Sequence, residues 1–176
     1  EFIHALNKCV DFLNFQTPPE LRVPYDMLSA QAVLESGWGT SRFAKEGNNL
    51  FGIRTWNKDE GMLPIGMSPD TPWRVRSFET KCASVKEYMS LLNYHEAYAD
   101  FRELRTKMLK NGEELDGKKL IKTLKAFSTT KDYSKRVINM MNKIDEVTLT
   151  EEFNQVDKEM EIKLKEKPPI PLKKPD

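Results

Sequence analysis

Cysteine and histidine are scarce in this chain, two of each in 176 residues. Cys9 and Cys82 are too few and too far apart for a zinc knuckle or a disulfide scaffold. They are either two free thiols or one bridge, so the redox compartment stays open. His4 and His95 stand alone, with no Cys or carboxylate at ligand spacing, and no metal site is expected. Long apolar runs are missing too; none approaches the ~18 residues of a membrane helix. Charge of one sign is not in excess. The 28 Lys and Arg against 27 Asp and Glu leave +1, which gives no case for a nucleic-acid binder driven by global electrostatics. No glycine-rich phosphate loop follows a strand. Cys82 has no histidine nearby in sequence to make it a nucleophile. No metal or organic cofactor is therefore expected. The chain opens on Glu1, not Met, so a targeting segment, if there is one, is expected outside it.

What is present is helical pattern broken once. Phe2, Ile3, Leu6, Val10 and Leu13 make one amphipathic stripe, ended by Thr17-Pro18-Pro19. A second helix is expected from about Pro24 to a stop at Gly37. Between residues 37 and 78 the helical period disappears. Two β-type pieces remain there, residues 50–53 and 73–76, and predict a small lobe of loops with one hairpin. Helical pattern returns at Ser84, which has capping-box spacing to Glu87. Further helices are expected over residues 100–110, closed by Asn111-Gly112, around residues 120–127, and from Tyr133 to Ile144 with Asp132 as cap. Phe153, Val156, Met160 and Leu164 offer a last stripe, and the Lys- and Pro-rich stretch from Lys167 reads as an extended tail. The fold class expected is α+β, with a mainly helical body and a small β-containing lobe. Residues 1–150 are expected as one domain and 151–176 as a charged, Pro-rich extension.

The most informative stretch is Gln31-Ala32-Val33-Leu34-Glu35-Ser36-Gly37-Trp38-Gly39. At 100° per residue Leu28, Ala32 and Glu35 share a helical face, which puts a carboxylate beside apolar neighbours. Burial disfavours the ionised form, and an acid kept protonated near neutrality can donate to a leaving oxygen. The two glycines allow a cleft wall to approach a substrate closely, and Trp38 offers a flat face for a sugar ring. The competing reading is an inert acid at a helix end.

A resemblance weights the choice. Gln31-Ala32-x-x-Glu35-Ser36-Gly37-Trp38-Gly39, then Ser41-x-x-Ala44, then Asn48-Asn49-Leu50-Phe51-Gly52-Ile53, resembles the glucosaminidase domain of bacterial peptidoglycan hydrolases. Ala97-Tyr98-Ala99-Asp100-Phe101-Arg102-x-x-Arg105 is similar to the Bax subgroup of that family. The resemblance implies a lysozyme-like fold with a cleft between body and lobe. It also implies hydrolysis of the β-1,4 bond after N-acetylglucosamine, with Glu35 as catalytic acid. Peptidoglycan glycan strands become the expected partner, and a periplasmic or otherwise exported location follows from that substrate. Late in the domain, relatives carry Tyr-Ala-Thr-Asp-Pro-x-Tyr; here the residues are Phe127-Ser128-Thr129-Thr130-Lys131-Asp132-Tyr133. The second tyrosine, important for activity in the family, matches Tyr133, whereas the first has become Phe127.

An inverting mechanism places a second carboxylate across the bond, and Asp59, Glu60, Asp70 and Glu79 in the small lobe are the candidates; the sequence does not choose between this route and one without it. Glu60 precedes Gly61 in a polar turn where relatives place a mobile acid, and is the candidate water activator; a solvated loop charge is the alternative. Without a second acid the substrate's own N-acetyl group can act as nucleophile. Trp38, Asn49, Phe51 and Trp56 are the expected substrate contacts. A lytic transglycosylase and a catalytically silent glycan-binding module are the rival functions. Oligomeric state is left open.

Overall fold

The computed structural model describes residues 1–166, with the backbone alone for Leu164 and Glu166. The described residues divide into two compact units, the first Glu1–Met141 and the second beginning at Asn142. In the first, helix α1 (Phe2–Phe15) buries Leu6, Val10 and Leu13, the stripe expected from sequence. Helix α2 (Tyr25–Ser36) follows, with Pro24 as its N-cap and Gly37 as its C-cap at φ +55°. Helix α2 buries Met27 to Val33 without a break, so most of its circumference lies inside the core. Its small residues Ser29, Ala30 and Ala32 let neighbouring elements come close.

Residues 37–78 hold more order than the loss of period predicts. Helix α3 (Arg42–Gly47) is under two turns long, too short for periodicity to reveal, and starts where the Ser41 side chain accepts from the Ala44 amide at 3.2 Å. A small antiparallel sheet follows, built from β1 (Arg54–Thr55), β2 (Gly61–Met62) and β3 (Arg74–Arg76) in the order β1-β3-β2. Val75 stands opposite both Arg54 and Met62. The expected strand piece at residues 50–53 is a buried loop leading into β1, because its amides are claimed by Asn49 and not by a neighbouring strand.

Helix α4 (Lys81–Tyr94) begins three residues before the expected cap. Thr80 is the N-cap, accepting from the Ala83 amide at 3.0 Å, whereas Ser84 is buried inside the helix and donates to the Lys81 carbonyl. Helix α5 (Ala99–Lys110) ends at Asn111 as expected. The helix expected around residues 120–127 is only α6 (Gly117–Leu120) and a 3-10 turn (Ile121–Thr123). The chain leaves helical geometry at Leu124, and the ring of Phe127 joins an aromatic cluster instead. Helix α7 (Tyr133–Glu166) starts behind Asp132, whose φ of +57° is not the extended geometry of a capping residue.

Cys9 and Cys82 form one disulfide, joining α1 to α4. Closing a loop of 73 residues removes about 4 kcal/mol of chain entropy from the unfolded state. The second unit carries the rest of α7, where Phe153, Val156 and Met160 recur on one face and are exposed. The tail expected from Lys167 lies outside the described residues.

Candidate active site

The last turn of α2 leaves the core just where Glu35 occurs. Leu28 and Ala32, expected to share its face, are fully buried, but Glu35 stands on the next turn and reaches solvent. The turn behind it is tied down: the Ser36 hydroxyl donates to the Ala32 carbonyl and accepts from the Gly39 amide, and Gly37, Trp38 and Gly39 all have positive φ. Glu35 therefore projects from a fixed helix end into a groove of about 520 Å³.

Three segments wall this groove. The 51–56 segment brings Phe51, Gly52, Arg54 and Trp56; helix α4 and the turn after it bring Glu87, Leu91, His95 and Tyr98. The 126–129 loop brings Phe127. Trp56 is 69% exposed and offers its indole face to whatever enters. Phe51 stacks on Tyr88, ring centroids 4.2 Å apart, and Phe127 stacks on Tyr133 at 5.9 Å. The guanidinium of Arg54 lies 3.7 Å over the Trp73 ring, and Glu87 pairs with Arg76 at 3.4 Å.

Tyr133, on the first turn of α7, donates its hydroxyl hydrogen to Glu35 Oε1 at 2.9 Å. Behind it Gln31 Nε2 donates to the Tyr133 oxygen at 3.2 Å, and the Tyr88 hydroxyl donates to Gln31 Oε1. Loss of water around the Glu35 carboxyl raises its pKa above the ordinary glutamate value, while the Tyr133 hydrogen bond and the Arg136 charge pull it down. Burial, followed by the charge of Glu35, drives Tyr133 far above the usual tyrosine range, so it stays a neutral donor. A groove-facing acid with a raised pKa and a neutral donor on one oxygen is equipped to deliver a proton.

The other expected site residues separate into two groups. Phe51 and Trp56 join Glu35 at the groove. Trp38, Asn49 and Glu60 lie outside its lining. Trp38 is half-buried in the turn behind α2. Asn49 is 2% exposed and spends its amide inside the protein, donating to the Ile53 and Arg76 carbonyls and accepting from the Phe51 and Ile53 amides. It shapes the groove wall from behind, where a substrate contact was expected. Glu60 is exposed and lines a separate recess with Asp59, Arg76 and Glu79. Sequence reasoning missed Gln31, Tyr88, Glu87 and His95. Gln31 belongs to the Gln31–Gly39 motif, and a glutamine one helical turn before Glu35, beside the apolar Met27 and Leu28, was the available signal. Among the described residues no group of three His, Cys, Asp or Glu side chains is placed to hold a metal ion, and no helix is long and apolar enough to cross a membrane.

Solved structures share this fold. The catalytic domain of the autolysin Auto from Listeria monocytogenes superposes with a TM-score of 0.59 at 19% identity, over 82% of each chain. The glycoside hydrolase domain of Salmonella typhimurium FlgJ superposes with a TM-score of 0.57 at 20% identity, over 93% of this chain and 96% of that one. The fold is thus the lysozyme-like one of glycoside hydrolase domains, a helical body with a small antiparallel sheet. In sequence, the chain is 35% identical to Protein bax of Escherichia coli K12 over 111 residues, 61% of this chain and 37% of that protein. The family model described as mannosyl-glycoprotein endo-beta-N-acetylglucosaminidase matches residues 16–146, which contain Glu35, Tyr133 and the whole groove between them. On that match the chain belongs to the glucosaminidase family.

Proposed function

We propose that this chain is a peptidoglycan hydrolase, an endo-β-N-acetylglucosaminidase that cleaves the β-1,4 bond after N-acetylglucosamine with Glu35 as general acid. One observation carries the reading: the Glu35 carboxyl opens onto an aromatic-walled groove while its pKa is held up by lost hydration. Residues 1–150 are the catalytic domain in this reading, and 151–176 an extension of it.

The protonated carboxyl of Glu35 gives its hydrogen to the glycosidic oxygen as the C1–O4 bond breaks, and the distal sugar leaves as an alcohol. With Glu60 outside the groove, the substrate's acetamido oxygen is the favoured partner for C1, closing an oxazolinium ring. Water then adds to C1, returns a proton to the Glu35 carboxylate and regenerates the N-acetyl group. Glu60 as water activator is the other route and requires its turn to be brought over the groove. A retained anomer marks the first route and an inverted one the second. Trp56 supplies a face for a sugar ring, Phe51, 3% exposed and stacked on Tyr88, backs the groove floor, and Tyr133 holds the acid.

The placement of Glu60 also favours a second reading. A lytic transglycosylase needs only one acid and passes C1 of muramic acid to its own hydroxyl. Mass spectrometry of fragments from digested sacculi separates the two. New reducing ends of N-acetylglucosamine support the hydrolase, anhydro-muramic ends support the transglycosylase, and binding without turnover leaves a silent glycan-binding module. Action on this polymer places the protein outside the cytoplasm, with which the disulfide agrees.

A further inference from the structure

We infer that Gln31, clamped by Tyr88, is a positioning residue that aims the Tyr133 hydroxyl at Glu35 Oε1 and so confines the transferable proton to Oε2. This rests on Glu35 being the proton donor.

The polarity of the chain of hydrogen bonds is set from its two ends. An ionised carboxylate only accepts, so Tyr133 must donate to Glu35 Oε1, at 2.9 Å. The Tyr133 oxygen is then free to accept, and Gln31 offers its amide N–H at 3.2 Å. The Gln31 carbonyl is thereby turned to Tyr88, whose fully buried hydroxyl donates to it. Gln31 itself is 0% exposed, in the middle of α2, and cannot exchange either bond for water.

When Glu35 takes up a proton, the same polarity decides where it sits. On Oε1 it would meet the hydrogen of Tyr133 head-on. Reversing Tyr133 to accept it would place two donors, Gln31 and Glu35, on one phenol oxygen and leave the phenol hydrogen without an acceptor. On Oε2 every bond is kept. Oε2 is the oxygen on the side of Gly52, and a Cβ built there would stand 3.8 Å from it. With φ at +67°, position 52 suits glycine, which keeps the groove-side approach to Oε2 bare. The charged and titratable groups around the carboxyl are Tyr133 and Arg136 from α7, with Arg54, Glu87 and His95 along the groove. Tyr98 and Tyr88 face Tyr133 from behind. Gln31 and Tyr88 reach Glu35 by a chain of hydrogen bonds that passes through the Tyr133 hydroxyl, and the charge of Asp26 bears on Tyr88 at its far end.

The test compares Gln31→Met, Tyr133→Phe and the double variant with wild type on sacculi. It reads kcat against pH and the Glu35 carboxyl by 13C NMR titration. Gln31→Met is expected to lower kcat roughly tenfold and to move the alkaline limb and the Glu35 midpoint upward, as Tyr133→Phe does. In the Tyr133→Phe background it is expected to add nothing. Losses that multiply in the double variant, or a Glu35 midpoint unmoved by Gln31→Met, overturn the inference. If Gln31→Met fails to fold with the Tyr88 hydroxyl stranded, Gln31→Met with Tyr88→Phe removes both buried polar groups, and the same two readouts apply. The NMR titration needs no turnover. It therefore judges the relay even if Glu35→Gln keeps cleaving glycan, a result that would sink the proposed function alone.

Discussion

Glu35 and Glu60 are both exposed acids, yet their surroundings differ in kind. Glu35 ends a helix buried around most of its circumference, meets aromatic rings across an open groove and is hydrogen-bonded by a phenol that is itself held from behind. Glu60 ends a three-residue 3-10 turn beside Asp59, in a shallow recess with Arg76 and Glu79. Exposure alone does not make a proton donor. The proposed donor role rests on surroundings that remove water from part of the carboxyl beside an open groove, which Glu35 has and the Glu60 turn does not share.

The contrast can be broken most directly by exchanging each acid for its amide. Glu35→Gln keeps the Tyr133 hydrogen bond and removes the proton, and glycan cleavage should fall by about 10³-fold or more, read as reducing ends released from sacculi. Tyr133→Phe should come next, lowering kcat by roughly 10²-fold. Its sign on pH is fixed by the direction of the Tyr133 effect. That hydrogen bond favours the ionised form of Glu35, so losing it should move the alkaline limb of kcat to higher pH. Trp56→Ala should act on binding, raising KM about fivefold with kcat little changed. Glu60→Gln should change kcat/KM by less than about threefold if the acetamido group is the nucleophile. A loss as large as that of Glu35→Gln would erase the distinction drawn between the two acids.

Stability gives a smaller but independent check. The folded Glu35 pKa lies above its unfolded value, so the folded state binds the extra proton. Its contribution to stability is present below the unfolded pKa and is lost as pH rises through the folded one. Glu35→Gln should therefore raise Tm slightly at neutral pH and leave it unchanged at about pH 3, by calorimetry.

Much of this was legible from residues. The stripe of α1, the Gly37 stop and the α2 position of Glu35 follow from spacing and helix-stop chemistry, and the family block pointed to Glu35 and Tyr133, which the fold brings within 2.9 Å of each other. What stayed hidden were contacts that only tertiary structure creates. Gln31 and Tyr133 are 102 residues apart, and Tyr88 meets Gln31 across 57. Asn49 looked like a ligand residue because polar side chains in motifs suggest contact, but its amide serves the 49–53 loop. Ser84 has capping spacing by coincidence, since Thr80 lies one turn earlier and takes the role. Phe127 continued an apolar stripe on paper, but its ring packs against Tyr88 and Tyr133 and draws the chain out of the helix.

Titrating the single carboxyl of Glu35 in the folded protein by 13C NMR addresses the account at its root. A midpoint clearly above the ~4.3 of a free glutamate side chain is predicted, so that a protonated fraction survives where the enzyme works. A midpoint at or below that value would contradict the assignment of Glu35 as the proton donor.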